Sequence, residues 1–167
     1  MILQQEVSIS PTETAGNLHD KLMVIGSELV IKTVKLIEQG EVKTTPQPEN
    51  EDIKTAYKLN KENCKIDWHQ DVLHIYNKVR GLNPYPSAWS LLSNVDEKLN
   101  VKIYEVDKIY EEHELEIGSV IVSKSDVKIA AKNGYIKLNI IKLPGKRKMD
   151  IKSLLNGYKF HPDSKML

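Results

Sequence analysis

The 167-residue sequence has few of the groups that announce chemistry on their own. Its one cysteine, Cys64, excludes a disulfide framework and a cysteine-rich zinc site. Lys61 and Lys65 lie near that thiol, but no Cys-His-Asn signature surrounds it, so it reads as a passive residue. No apolar run approaches the roughly 18 residues that span a bilayer, and no signal-peptide pattern follows Met1. There is no nucleophile-elbow serine, no phosphate-binding glycine loop and no spaced carboxylate pair of glycosidase character. The histidines, His19, His69, His74, His113 and His161, form no metal-binding pair, and His69 and His74 diverge on a helix. These absences leave a soluble, cytoplasmic protein of one large domain or two small ones.

What is present is an uneven charge. The net charge of +1 conceals a split between the two parts of the chain. Residues 1–123 carry 13 Lys/Arg against 20 Asp/Glu, a balance of −7, and residues 124–167 carry 11 against 3, a balance of +8. A basic C-terminal region on an acidic body suits a polyanion, although lysines on the solvent face of strands give the same count.

Val7 and Ile9 alternate with polar residues and predict a short strand ended by Ser10-Pro11. Thr14 is a suitable N-cap for a helix over 15–39, whose Leu18, Leu22, Ile25, Leu29 and Leu36 share one face before Gly40. Residues 41–54, with Pro46, Pro48 and the acidic cluster Glu49-Asn50-Glu51-Asp52, read as a linker. A second helix is predicted over 69–80, burying Val72, Ile75, Tyr76 and Val79 and ending at Gly81. Asn83-Pro84-Tyr85-Pro86 is a rigid turn. Strands follow over 88–92, 99–106, 119–123, 127–131 and 135–143, with Asn133-Gly134 marking a hairpin. A short helix over 151–156 and a polar tail end the chain. Five short strands at this spacing predict a small barrel of the oligonucleotide-binding type or a sandwich.

Two stretches carry more specific residue types. Pro144-Gly145-Lys146-Arg147-Lys148 places three cations on a turn after a hairpin, where they can converge on phosphates. The other is the segment from Lys58 to Trp89. Its Tyr57-Lys58-Leu59-Asn60-Lys61-Glu62-Asn63-Cys64-Lys65-Ile66-Asp67-Trp68 resembles the linker motif of the methionyl-tRNA formyltransferase family. Val79 followed by Arg80-Gly81-Leu82-Asn83-Pro84-Tyr85-Pro86-Ser87-Ala88-Trp89 is similar to that family's Ile-Arg-x-x-Asn-Pro-Trp-Pro-x-Ala-Trp stretch, with Tyr85 in place of the usual Trp and Val79 in place of Ile. Residues 13–22 resemble the opening of the last helix of the family's catalytic domain, and residues 144–157 its final strand and terminal helix.

The resemblance implies an α+β chain. A five- or six-stranded barrel of oligonucleotide-binding type is expected at 66–167, after a linker at 41–65 and a strand plus long helix at 1–40. That first piece would be left over from a Rossmann-like formyltransferase domain. The family's catalytic Asn, His and Asp motifs have no counterpart here, so the chain is expected to start just downstream of the chemistry and to be inactive alone. The family's donor, 10-formyltetrahydrofolate, would belong to the full-length enzyme, with no cofactor in this chain. The implied partner is initiator methionyl-tRNA, with no membrane. Lys58, Lys61, Arg80, Lys146, Arg147 and Lys148 are the expected phosphate contacts. Trp68, Asn83, Pro84, Pro86 and Trp89 are expected to be structural. The apolar face of helix 15–39, without the sheet it once covered, is expected to be exposed and open to self-association. Two alternatives stand: a formyl- or hydroxymethyl-transfer relative acting on a sugar nucleotide or folate, and a stand-alone nucleic-acid-binding barrel.

Overall fold

The computed structural model describes residues 1–47, 54–95 and 97–167. The acidic cluster at 49–52 and the neighbouring Pro48, assigned above to the linker, lie outside them. The chain divides into two compact units, Met1–Lys58 and Leu59–Leu167.

The first unit is built on one helix, α1 (Ala15–Glu38). Thr14 caps it through a reciprocal box: its hydroxyl accepts from the Asn17 amide and its own amide donates to Asn17 Oδ1, both at 3.2 Å. At the other end Gly40 adopts φ +69°, its amide donates to Ile37 O and that of Glu41 to Leu36 O. These two bonds satisfy carbonyls the helix leaves open. The apolar face expected to be exposed is mostly half-covered: Leu18, Ile25, Leu29 and Leu36 are half-buried, Leu22 is exposed and no residue of α1 is fully buried. Met23, Val24, Val30, Ile31, Val34 and Ile37 also face solvent within this unit. The strand predicted around Val7 and Ile9 does not form, and residues 1–10 are irregular. Alternation alone makes no strand; a backbone ladder needs a neighbour, and among the described residues this unit holds no strand to provide one.

The second unit is a barrel-like antiparallel sheet crossed by a helix. Its elements are α2 (Val72–Leu82), β1 (Ala88–Asn94), β2 (Glu97–Tyr110), β3 (Val120–Val122), β4 (Val127–Ala131), β5 (Gly134–Lys142), β6 (Met149–Asp150), α3 (Ile151–Leu155) and β7 (Lys165–Met166). The strand order is β3-β4-β5-β2-β1-β7, with β6 branching from β5. Ser119 bridges to Lys165, the Met166 amide donates to Gly118 O at 2.8 Å and the Val120 amide to Ser164 O at 3.1 Å. The C-terminal residues thus join the two ends of the sheet, and the polar tail expected there is a closing strand. Two residues between turns carry no alternation from which a strand can be read.

Alternate residues of the strands point inward: Leu92, Val101, Ile103, Val127, Ile129, Ile136 and Leu138 are fully buried. They pack with Val72, Ile75 and Val79 of α2 in one core. Residues 59–65 pack with this unit rather than standing apart: Cys64 is buried, and the Ile66 amide donates to Trp89 O at 2.8 Å. Helix α2 starts later than the predicted residue 69 because Asp71 is its cap, accepting from the His74 amide at 2.8 Å. It runs through Gly81 and stops at Asn83, which precedes a proline and is extended at φ −88°, ψ 130°.

The β4–β5 hairpin turns at Lys132-Asn133, one residue earlier than the Asn-Gly reading, with Gly134 the first residue of β5. Gly134 has φ +149°, and a Cβ there would lie 2.0 Å from Ile109 O, so a close approach of two backbones requires glycine. The Asn133 side chain serves the helix instead. Its Oδ1 accepts the Val72 amide at 2.9 Å, closing the first turn of α2 from a partner 61 residues away. Replacement Asn133→Ala leaves that amide without this acceptor. We expect a loss of about 1–2 kcal/mol, read as a lower urea midpoint, with most of it restored by Asn133→Asp.

Candidate nucleic-acid interface

The outer face of β1, β2 and β5 is where basic side chains gather. Trp89 lies directly opposite Lys102, and Lys102 in turn lies opposite Lys142. Residues paired in this way share a face with Cβ atoms roughly 5 Å apart. Along β2, Asn100, Lys102 and Tyr104 point away from the core while Val101 and Ile103 fill it.

Each end of this row is extended by loop cations. Lys61 Nζ lies 5.3 Å and Lys65 Nζ 5.8 Å from the centre of the Trp89 ring. The Trp89 indole N–H donates to Lys61 O at 2.6 Å, fixing the ring against the 61–65 segment. At the other end Leu143 is buried and Gly145 takes φ +71°, which turns the chain so that Lys146, Arg147 and Lys148 all face solvent. Lys148 Nζ sits 4.5 Å from the centre of the Tyr104 ring. A band therefore runs from Lys61 and Lys65 through Trp89, Lys102 and Lys142 to the 146–148 turn.

Its electrostatics differ from those of other lysines in the same domain. Lys137 is 2.7 Å from Asp126. Hydrogen bonding to that lysine holds the Asp126 carboxyl below its usual range, and the same bond pushes the Lys137 ammonium up. Lys165 is likewise paired with Glu116. Among the described residues no acid lies within salt-bridge distance of Lys61, Lys102, Lys142, Lys146, Arg147 or Lys148. Like charges directly across a strand pair are destabilising, so the Lys102–Lys142 pair is a local cost that a bound anion relieves.

Of the six cations expected from sequence, four fall on this band: Lys61, Lys146, Arg147 and Lys148. Arg80 sits in the last turn of α2, where its Nε donates to Asn77 Oδ1 at 2.8 Å. Lys58 is exposed in the first unit. No local motif marks Lys102 or Lys142, and Lys65, although inside the linker motif, is not among the expected contacts. Trp68 is buried, with its indole N–H donating to Ser90 Oγ at 2.9 Å, and Asn83 is buried in the elbow. Glu111, Glu112 and Glu114 are exposed, but His113 between them is half-buried. Its Nε2 is 2.9 Å from Ala131 O and 3.0 Å from Gly134 O, and its ring lies against Tyr135 at 4.6 Å. This histidine pins the loop to the hairpin.

Residues 58–159 match the sequence profile described as the formyl transferase C-terminal domain. The chain belongs to that family. It is 52% identical over 166 residues to the methionyl-tRNA formyltransferase of Flavobacterium johnsoniae, covering 99% of this chain and 53% of that protein. The corresponding figures for the methionyl-tRNA formyltransferase of Bacteroides thetaiotaomicron are 38% over 171 residues, 99% and 53%. The chain spans about half the length of the curated relatives it matches. Among solved structures, a multiply substituted variant of HypX from Aquifex aeolicus aligns at TM-score 0.62 and 21% identity, over 90% of this chain and 27% of that one. HypX in complex with tetrahydrofolic acid aligns at TM-score 0.50 and 21% identity, over 78% and 22%. At that identity the likeness speaks for the fold alone. The matched residues thus include α2, β1 to β6, the turn at 83–86 and the whole basic band, while the closing strand β7 lies beyond them. Among the described residues no helix is long and apolar enough to cross a membrane, and no group of His, Cys, Asp and Glu is placed to hold a metal ion.

Proposed function

We propose that this chain is the C-terminal portion of a cytoplasmic methionyl-tRNA formyltransferase and that its barrel holds initiator methionyl-tRNA by the phosphate backbone. The observation that carries the reading is the band joining Lys61, Lys65, Lys102 and Lys142 to the 146–148 turn across three strands, with no acid among the described residues within salt-bridge distance of these cations. Fixed cations on a rigid sheet orient a polyanion without choosing its sequence, which is what a domain that positions an acceptor end must do. Lys58 and Arg80 are assigned a supporting share of the same contact. Transfer of the formyl group from 10-formyltetrahydrofolate to the methionyl amine is assigned to a part of the protein outside this chain. The apolar side chains that α1 leaves exposed, among them Met23, Val30 and Ile31, support self-association when the chain stands alone. The sugar-nucleotide and folate alternatives give no reason for so long a basic band.

The test is a titration with initiator methionyl-tRNA at rising ionic strength. The dependence of log affinity on log salt should fall by about 2–3 in slope when Lys146, Arg147 and Lys148 are all replaced by Ala, at about 0.9 per phosphate contact. Affinity near 0.1 M salt should drop about 10- to 100-fold. An unchanged slope and affinity overturn the assignment.

A further inference from the structure

A cavity of about 520 Å³ opens beside the band, lined among others by Leu59, Lys61, Tyr85, Trp89, Asn100 and Lys102. We propose that it holds one unpaired nucleotide of a single-stranded RNA segment, the base against Trp89 and Tyr85 and the phosphate on Lys61 and Lys102. The inference rests on the reading of this barrel as a tRNA-binding surface, but it adds a site which backbone contact to a duplex does not need.

Tyr85 is 84% exposed, although prolines on both sides fix the backbone that presents it. An aromatic ring standing in solvent on a restricted backbone contributes nothing to the core. It is suited to covering an apolar surface brought from outside. In Trp89 the indole N–H is already bonded to Lys61 O, so the edge is satisfied and what the indole adds to the cavity is its apolar surface. Base stacking needs that surface and tolerates any base. Lys61 stands 5.3 Å from the ring centre and Lys102 lies directly across from Trp89, so aromatic and cationic groups alternate within the reach of one nucleotide. Asn100 lines the same cavity and brings both a donor and an acceptor, which can meet the edge of a base without selecting one. The volume lies within the roughly 300–1,000 Å³ of small-ligand sites. An acidic peptide would use the lysines and leave the two aromatic rings without a role.

The experiment is a titration of the intact chain with a fluorescein-labelled six-nucleotide oligouridylate, followed by anisotropy and by tryptophan emission. Trp68 is buried, so quenching reports Trp89. Binding with quenching is expected. Tyr85→Ala and Lys102→Gln should each weaken it about fivefold or more, and Tyr85 is exposed enough for its replacement to leave the fold intact. Trp89→Leu should weaken it more than tenfold while Trp89→Phe, which keeps a stacking ring, binds within a few-fold of the parent. If initiator tRNA binds but the oligonucleotide does not, the nucleotide site falls and the tRNA reading stands. If neither binds, both fall. Displacement of the oligonucleotide by equimolar inorganic phosphate, with no effect of Tyr85→Ala, reduces the cavity to an anion site and overturns the proposal. So does an oligoglutamate peptide that binds as tightly and depends equally on Tyr85.

Discussion

Removal of residues 163–167 is expected to cost roughly 6–9 kcal/mol and to leave the second unit largely unfolded or aggregated at room temperature. Met166 is only 1% exposed, and truncating a buried methionine alone costs about 2–5 kcal/mol. The strand also carries backbone bonds in two directions. On one side Leu167 exchanges hydrogen bonds with Leu91, and on the other Met166 donates to Gly118 O and Ser164 O accepts from Val120. Each such bond is worth about 1 kcal/mol net, and losing them uncovers the edges of both β1 and β3. Typical domains have about 5–15 kcal/mol in total, so the truncation removes a large share of it. Urea denaturation followed by circular dichroism measures the loss, with light scattering to detect association through the exposed edges. Met166→Ala, which leaves the backbone in place, should lose about 2–4 kcal/mol and remain folded. A truncated chain as stable as the parent would mean that the barrel does not depend on this closure.

The charge reversal Lys102→Glu should separate binding from stability. In the folded protein the new carboxylate faces Lys142 directly, replacing a like-charge cross-strand pair with an opposite-charge one. The change in that pair alone is favourable by several tenths of a kcal/mol, so the urea midpoint should hold or rise. For a bound polyanion the same change places a negative charge at the middle of the band. Affinity for initiator methionyl-tRNA at about 0.1 M salt should fall at least tenfold, with the salt slope reduced by about 1 or more. Lys137→Glu is the control, because Lys137 already neutralises Asp126: it should lower stability and leave tRNA affinity nearly unchanged. Equal effects of the two reversals on binding would mean that only net charge matters and that the band is no interface.

The parts of the fold legible in the sequence are those whose signal is local and long. Helix α1 shows its apolar spacing over 24 residues with a cap at each end, and β1, β2, β4 and β5 are long enough to display alternation. Strands β6 and β7, two residues each, exist because a partner edge is nearby and leave no pattern of their own. The stretch around Val7 and Ile9 is the converse, with a pattern but no partner. The candidate site divides along the same line. Lys146, Arg147 and Lys148 are consecutive and can be seen at once. Lys102 and Lys142 stand 40 residues apart, and only the β2–β5 register makes them neighbours. In the sequence Lys65 is visible as a neighbour of Cys64 and a member of the linker motif, but its place beside Trp89 depends on the bridge between the two residues.

The hydrogen bond between the Val72 amide and Asn133 sets an order of events. The amide belongs to the first turn of α2, but its acceptor lies at the tip of a hairpin 61 residues further along the chain. A chain made from its N-terminus delivers Val72 first, and the helix start then waits, hydrated, while β1, β2, β3 and β4 are still being added. Closing so long a loop is an entropic cost that local helix formation does not offset. The opening turn of α2 is therefore completed from the far side of the domain, after the β4–β5 hairpin has folded back to meet it.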